Sequence, residues 1–463
     1  MRRYHVWLTV GMTAGLFAGS RTAQAQGYGV FEHGTCAMGR AGTAVASPCP
    51  DGSTIFFNPA GLALMTHQMI AMGGTLVIPS GGFENDITRV KTDLNDRMYP
   101  VPHLYYQRRI DDRFAAGFGV FVPYGLETDW PEDFEGRFLG FKSVVQGIYL
   151  QPTLAAKLTD RISVGAGLDI VHLHVELHQH VDLSTVALPP PALPGTTFAN
   201  MGIPFGTDFA DAEVSGNAWN LGANLGVMWQ ATDRLSLGAR YLTRQKIEVE
   251  EGRVTFNQRP TDIILALGNP FGAPAGTPLD AVLAPRFMDD SLLGTQGGST
   301  TLTLPDQIVV GAAFQVTPKL KVLFDWQWVN WKVFDALVLE FERAGTRTIV
   351  ESYRATNGFR LGGEYAWSQS TTVRGGFLTH EAAAPDQTVT PNLPEGKRSE
   401  LTLGLGTRLG RSLRVDLAYQ YVDQADRRGR TTDGGLAVPT TAVNNGLYTF
   451  TAHLIGATFA LEF

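Results

Sequence analysis

Residues 451–463 read TAHLIGATFALEF. Ile455, Ala457, Phe459, Leu461 and Phe463 take alternate positions on one face, with Thr451 and His453 nearer its far end. A period of two belongs to a β-strand with one apolar face. The same alternation runs through 403–407 (LGLGT) and 413–419 (LRVDLAY). Within 321–328, Phe324, Trp326 and Trp328 share one face, while Lys321, Asp325 and Gln327 share the other. That is an apolar-out, polar-in wall with rings suited to a membrane interface. One such strand would also fit a soluble core, so the connections have to decide.

Strand-like sequence runs from about residue 67 to the end. Six connections are short: 110–113, 159–161, 231–234, 317–319, 368–370 and 410–412. They are built from the turn formers Asp, Gly, Pro and Ser. Between them lie seven longer polar or Pro/Gly-rich segments, at about 80–97, 127–140, 184–215, 259–298, 336–351, 382–397 and 424–446. Seven long loops alternating with six short turns connect fourteen strands. Short turns at one end and long loops at the other, with an even strand count, define an outer-membrane barrel. A soluble β-sandwich need not sort its loops by side. The expected fold is an all-β, 14-stranded antiparallel transmembrane barrel.

The first 25 residues set the compartment. Arg2 and Arg3 are followed by an apolar run from Val6 to Gly19 and by Ala23-Gln24-Ala25. These are the parts of a secretory signal peptide, with Gln26 as the mature start. The run is shorter than the ~20 residues of a spanning helix, and no comparable run follows it. Glycine makes up 52 of 463 residues, while charged residues are 17%. Usual values are about 7% for glycine and about 25% for charge. A mean hydropathy of -0.03 is what alternating strands average to. Losing the leader removes Arg2, Arg3 and Arg21 and no acid, so the mature chain is more acidic than the whole, whose net charge is -7. An acidic chain without a basic block argues against nucleic acid as a partner.

Residues 26–66 break the alternation. Small residues dominate, as in Met38-Gly39-Arg40-Ala41-Gly42-Thr43 and Phe57-Asn58-Pro59-Ala60-Gly61-Leu62. Forty residues before a barrel sit outside it or fold into its lumen. Small residues favour the lumen, where plug and wall approach closely. The chain therefore divides into a leader (1–25), an N-terminal hatch (26–66) and a barrel (67–463).

In these features the sequence resembles the FadL/TodX family of outer-membrane transporters for long-chain fatty acids and aromatic hydrocarbons. The resemblance rests on Gly39-Arg40-Ala41 followed by Asn58-Pro59-Ala60-Gly61, on 122–130 (VPYGLETDW), and on the terminal Phe463. It implies a hatch that blocks the lumen, with Gly39, Arg40, Asn58, Pro59, Ala60 and Gly61 within it. It also implies a captured hydrophobic ligand that leaves sideways where the third strand kinks inward. Phe463 is typical of barrels handed to the outer-membrane assembly machinery. The expected partners are thus a hydrophobic small molecule, outer-membrane lipid and that machinery, with the barrel a monomer. The kink also has a local signal. The third strand carries Gly117, Gly119, Pro123 and Gly125, and proline cannot donate to a ladder. A proline already above the membrane, where the strand fades into loop, is the alternative.

Cys36 and Cys49 stand near the mature N-terminus, with twelve residues between them. In an oxidising envelope they are candidates for a disulfide. No second pair accompanies them as a zinc site would want. His172, His174, Glu176, His178 and His180 alternate with Val171, Leu173, Val175, Leu177 and Gln179. His-x-His on a strand can chelate zinc. A solvated polar face needs no metal and is the preferred reading; contact of His172, His174 and Glu176 with a ligand carboxylate is a further one. The apolar face of this strand switches from even numbers (Ile162 to Ile170) to odd numbers from Val171. Either a bulge near Ile170 keeps the histidines in the lumen, or the strand has left the bilayer there.

No metal or cofactor is expected, and no G-x-S-x-G, H-E-x-x-H or P-loop motif is present. The glycines of 404–410 resemble a dinucleotide loop, but the third comes one residue late and they lie within a strand. The expected function is passive uptake of hydrophobic compounds, with no enzymatic activity. A general diffusion porin and a surface adhesin or receptor acting through the long loops are the alternatives.

Overall fold

The computed structural model describes residues 27–188, 195–429 and 444–463; the expected leader lies outside them. Fourteen antiparallel wall strands follow in chain order. They are β1 Met69–Asn85, β2 Tyr99–Arg109, β3 Phe114–Asp129, β4 Lys142–Lys157, β5 Ile162–Val181 and β6 Ala210–Gln230. Next come β7 (Leu235–Leu242 and Gln245–Gln258), β8 (Gln296–Leu304 and Gln307–Thr317) and β9 Leu320–Val329. The last are β10 Thr356–Ala366, β11 Thr371–His380, β12 Arg398–Leu409, β13 Leu413–Gly429 and β14 Gly446–Glu462. Strand β14 pairs with β1 from Met69↔Glu462 to Asn85↔Gly446, which closes the barrel. Closure satisfies backbone groups that lipid could not.

All six short turns fall where the sequence places them. Strands run farther into the long-loop end than expected: β1 continues past residue 80 and β13 past residue 424. The alternation of 451–463 has the expected sense. Ile455, Phe459, Leu461 and Phe463 are exposed on the outer face, whereas Ala460 and Thr458 are buried inside. On β9, Phe324 points out while Asp325 and Gln327 are buried in the lumen.

The lumen is filled by residues 27–66. Two single-turn helices (Thr35–Met38 and Thr54–Phe57) and a 3₁₀ turn (Pro59–Leu64) make up this plug. It fits because wall glycines remove side chains where the two surfaces touch. A Cβ on Gly165 would lie 2.3 Å from the carbonyl carbon of Pro59, and one on Gly238 2.1 Å from the carbonyl oxygen of Val45. Polar groups hold the seat. Asp325 accepts the N–H groups of Ala44 (3.0 Å) and Val45 (3.2 Å). Asn224 donates to the Phe56 carbonyl at 2.9 Å. Arg40, buried, pairs with Glu364 of β10 at 2.7 Å.

The tetrapeptide 58–61 works residue by residue. The Asn58 carboxamide caps the 3₁₀ turn by accepting from Ala60 N–H (3.1 Å). Its Nδ2 donates to the carbonyls of Val45 (2.6 Å) and Val227 (3.0 Å), so one side chain joins plug to plug and plug to wall. Pro59 opens the turn where its missing N–H costs nothing. A Cβ on Gly61 would meet Thr54 Oγ1 at 2.3 Å.

Cys36 and Cys49 are joined by a disulfide that closes the plug loop carrying Gly39 and Arg40. A loop of this size contributes about 3 kcal/mol by restricting the unfolded chain. Replacing both cysteines by serine is expected to lower the opening free energy of the plug by about 2–3 kcal/mol. Amide hydrogen exchange across 36–49 measures it; unchanged protection would contradict the role.

Candidate functional site: a broken wall beside a buried cavity

The third strand is interrupted where its proline stands. Its register with β4 slips between Phe121↔Tyr149 and Tyr124↔Gly147, so Val122 and Pro123 together oppose one residue. This bulge keeps both Phe121 and Tyr124 buried inside. Pairing of β3 with β2 runs from Arg109↔Ala115 to Leu104↔Val120 and ends there. Above that point β2 keeps its other partner, β1, as far as Val77↔Tyr99. The upper half of β3 has thus left β2, and the edge it exposes is partly taken by the plug. Val30 N–H donates to the Pro123 carbonyl (2.9 Å) and Gly125 N–H to the Tyr28 carbonyl (3.0 Å). The strand does not fade at Pro123 but continues to Asp129.

Gly125 lies in this displaced half; Gly117 and Gly119 do not. They sit in the paired part, opposite Gln107 and Tyr105. Their role is to admit the plug, since a Cβ on either would press on Ile55 at 2.8 and 3.0 Å. The window between β2 and β3 is bridged at its top, where Arg97 and Asn95 hold Asp129 at 2.6 and 2.9 Å.

A cavity of about 410 Å³ lies behind the window. Tyr99–Pro102 and Val122, with Gly125–Asp129, form its window side, and the plug residues Gly27–Glu32 form its floor. Its walls are largely apolar, with Val77, Leu126, Leu378, Val422, Phe450 and Leu454. The far end is polar, with Arg360, His380, Arg398, Glu400, Gln420 and Gln424. There Gln420 Nε2 donates to Glu32 at 2.9 Å and also to Glu400. Arg398 Nε donates to Gln424 at 3.2 Å.

Arg360 is the residue that sequence reasoning missed. It is 3% exposed, stacks over the Phe31 ring at 4.5 Å and donates to Gln327 at 2.7 Å. Its Nε has no partner, and among the described residues it makes no ion pair. The signal was available: a charge between Phe359 and Leu361, two outward residues, must point into the lumen.

His172, His174 and Glu176 do not line the cavity. Strand β5 pairs with β6 without a slip from Ile162↔Trp229 to Val181↔Ala210, so no bulge exists near Ile170. Even-numbered residues face outward from Ile162 to His178, while His180 is buried against Asp208 of the following loop. The apolar phase switches because the inward face changes its neighbour. Asp169 and Ser163 lie lower, whereas Val171 and Leu173 belong to the aromatic core that includes Tyr124, Tyr149 and Phe121.

A membrane barrel with an occupied lumen, a broken wall and an apolar cavity at the break is a transport barrel of the outer membrane. Residues 16–463 match the family described as "Outer membrane protein transport protein (OMPP1/FadL/TodX)", and the chain belongs to it. The long-chain fatty acid transport protein of Escherichia coli O6:H1 is 22% identical over 414 residues, covering 87% of this chain and 88% of that one. A FadL homologue of Pseudomonas aeruginosa superposes with a TM-score of 0.78 at 21% identity, covering 95% of this chain and all of that one. The Ralstonia pickettii toluene transporter TbuX gives 0.62 at 20%, covering 94% of this chain and all of that one. At these identities the structural likeness speaks for the fold alone.

Proposed function

We propose that the protein passively admits long-chain molecules with an anionic head, of the fatty-acid class, and releases them sideways through the window between β2 and β3. The observation that carries this reading is one continuous cavity with a buried guanidinium, that of Arg360, at one end and a broken wall at the other. Its volume falls in the range of ligand pockets. The apolar walls take the chain out of water, and the ligand's own gradient drives the net flow. Pro123 and Gly125 set the window; Gly39, Arg40, Asn58, Pro59, Ala60 and Gly61 keep the hatch seated. The E. coli relative is a long-chain fatty acid transporter and TbuX a toluene transporter, so both apolar classes are represented among similar proteins. Arg360 favours the acid here, because a hydrocarbon gives a buried cation nothing to pair with.

The test separates head from chain. Arg360→Gln removes a charge-assisted hydrogen bond of about 1.5–3 kcal/mol. Oleate affinity is expected to fall about tenfold or more, with toluene affinity unchanged, as read by calorimetric titration of the detergent-solubilised protein. Equal loss of both ligands, or of neither, would remove Arg360 from head-group recognition.

A further inference from the structure

The outward histidine row and the window lie on one face of one sheet. In the register, Gly125 of β3 faces Gln146 of β4, and Gln146 faces His174 of β5. One step up, Glu127 faces Val144, which faces Glu176; at the next, Asp129 faces Lys142, which faces His178. Val145 packs into the core, so Val144 and Gln146 point outward. Both also line the cavity, which therefore passes through the wall and emerges on this face. Two strand spacings, about 10 Å, separate the window from the histidines.

At that place a carboxylate is already held. Glu176 receives Lys142 Nζ at 2.6 Å and His178 Nε2 at 2.6 Å, and His174 Nε2 lies 3.7 Å from its other oxygen. His174 is oriented by Asn217, whose Oδ1 is 3.0 Å from its Nδ1. These side chains keep 21–30% of their surface exposed, so the donors are reachable. The level also fits. His172 lies 4.7 Å from the ring of Trp219, which is 63% exposed on the outer face. Tryptophan marks the edge of the apolar band. The donors stand beyond it, where head groups lie.

We infer that Lys142, His174 and His178 form a head-group station on the outer wall, which takes the carboxylate of the acyl ligand from the window into the outer leaflet. Glu176 occupies the station between passages and yields it to the ligand. The inference rests on the sideways release proposed above and adds a second polar stop that an amphiphile needs there. Without one, a charged head would cross the apolar band while the tail is already in lipid.

The experiment uses palmitic acid carrying a diazirine beside its carboxyl group, with the full-length mature protein in liposomes of outer-membrane lipid. Adducts are mapped by mass spectrometry after illumination. Adducts are expected in the cavity near Leu378, in the window at 99–102, and on the outer face at 142–178. Lys142→Ala with His174→Ala and His178→Ala should lower outer-face adducts about tenfold, the worth of one charge-assisted hydrogen bond. Cavity adducts serve as the folding control and should persist. Glu176→Gln should raise outer-face labelling, an outcome that a merely structural role would not give. Cavity and window adducts without outer-face adducts would overturn the station and leave sideways release standing. Adducts confined to the plug and the short-turn end would overturn both. Outer-face labelling competed by lipopolysaccharide but not by unlabelled palmitate would assign these donors to a resident lipid phosphate and overturn the inference.

Discussion

Deleting Pro123 is expected to close the window and, on the function proposed above, to cut fatty-acid uptake while leaving the barrel assembled. The bulge has one residue too many between Phe121↔Tyr149 and Tyr124↔Gly147. Removing that residue leaves a regular ladder with β4. It does not invert the strand, because Phe121 and Tyr124 both already face inward. Bulges bend and twist the strand that carries them, so the straightened β3 swings back toward β2 and away from Tyr28 and Val30. Oleate uptake by whole cells is expected to fall at least about tenfold, equivalent to raising the transport barrier by ~1.4 kcal/mol or more. Heat-modifiable mobility on gels reports that the barrel has formed. Normal uptake by an assembled deletion variant would show that the ligand takes another way.

The second large effect concerns the plug. Gly376→Val is expected to convert a closed barrel into a conducting one. A Cβ at this position would lie 2.7 Å from Ala41 Cβ, 2.8 Å from the carbonyl carbon of Arg40 and 2.9 Å from the Ala41 nitrogen. Two of these are backbone atoms of the plug and cannot rotate aside. Overpacking of this kind costs about 1–3 kcal/mol, which lowers the ratio of seated to displaced plug about five- to 150-fold. Planar-bilayer recordings would show steady current from the variant and little from the parent protein. Gly375→Val is the control, since its Cβ would meet nothing closer than 3.7 Å. Current from both variants alike would point to general loss of the barrel.

The fold was legible because barrel strands write their two environments into alternate residues, and because turns and loops sort by end. Residues such as Asp325, between outward Phe324 and Trp326, announce the lumen without knowledge of what fills it. The plug was legible as a loss of alternation, whereas the role of Asn58 as a cap appears only in the structure. Other features lay beyond the sequence because they depend on pairs distant along the chain. Gly117 and Gly119 looked like part of the kink, yet what they accommodate is Ile55, about sixty residues earlier. The change of apolar phase at Val171 looked like a bulge or an end of the membrane. It is not a bulge: outward, the strand passes the tryptophan level at Trp219, and inward, Val171 and Leu173 join an aromatic core that Tyr124, Tyr149 and Trp331 assemble across the lumen. Arg360 carried a readable signal in its orientation. What could not be read was that Asp325, directly opposite on β9, turns its carboxylate to the plug N–H groups of Ala44 and Val45 and forms no ion pair with it.

The central claim is that a hydrophobic ligand leaves through the wall while the plug stays seated. A structure of the protein with a fatty acid brominated along its chain tests it most directly. Bromine density is expected in the cavity and between Tyr99–Pro102 and Val122–Asp129, with Asn58 still bonded to Val227. Density along the barrel axis beside a displaced plug would contradict the account.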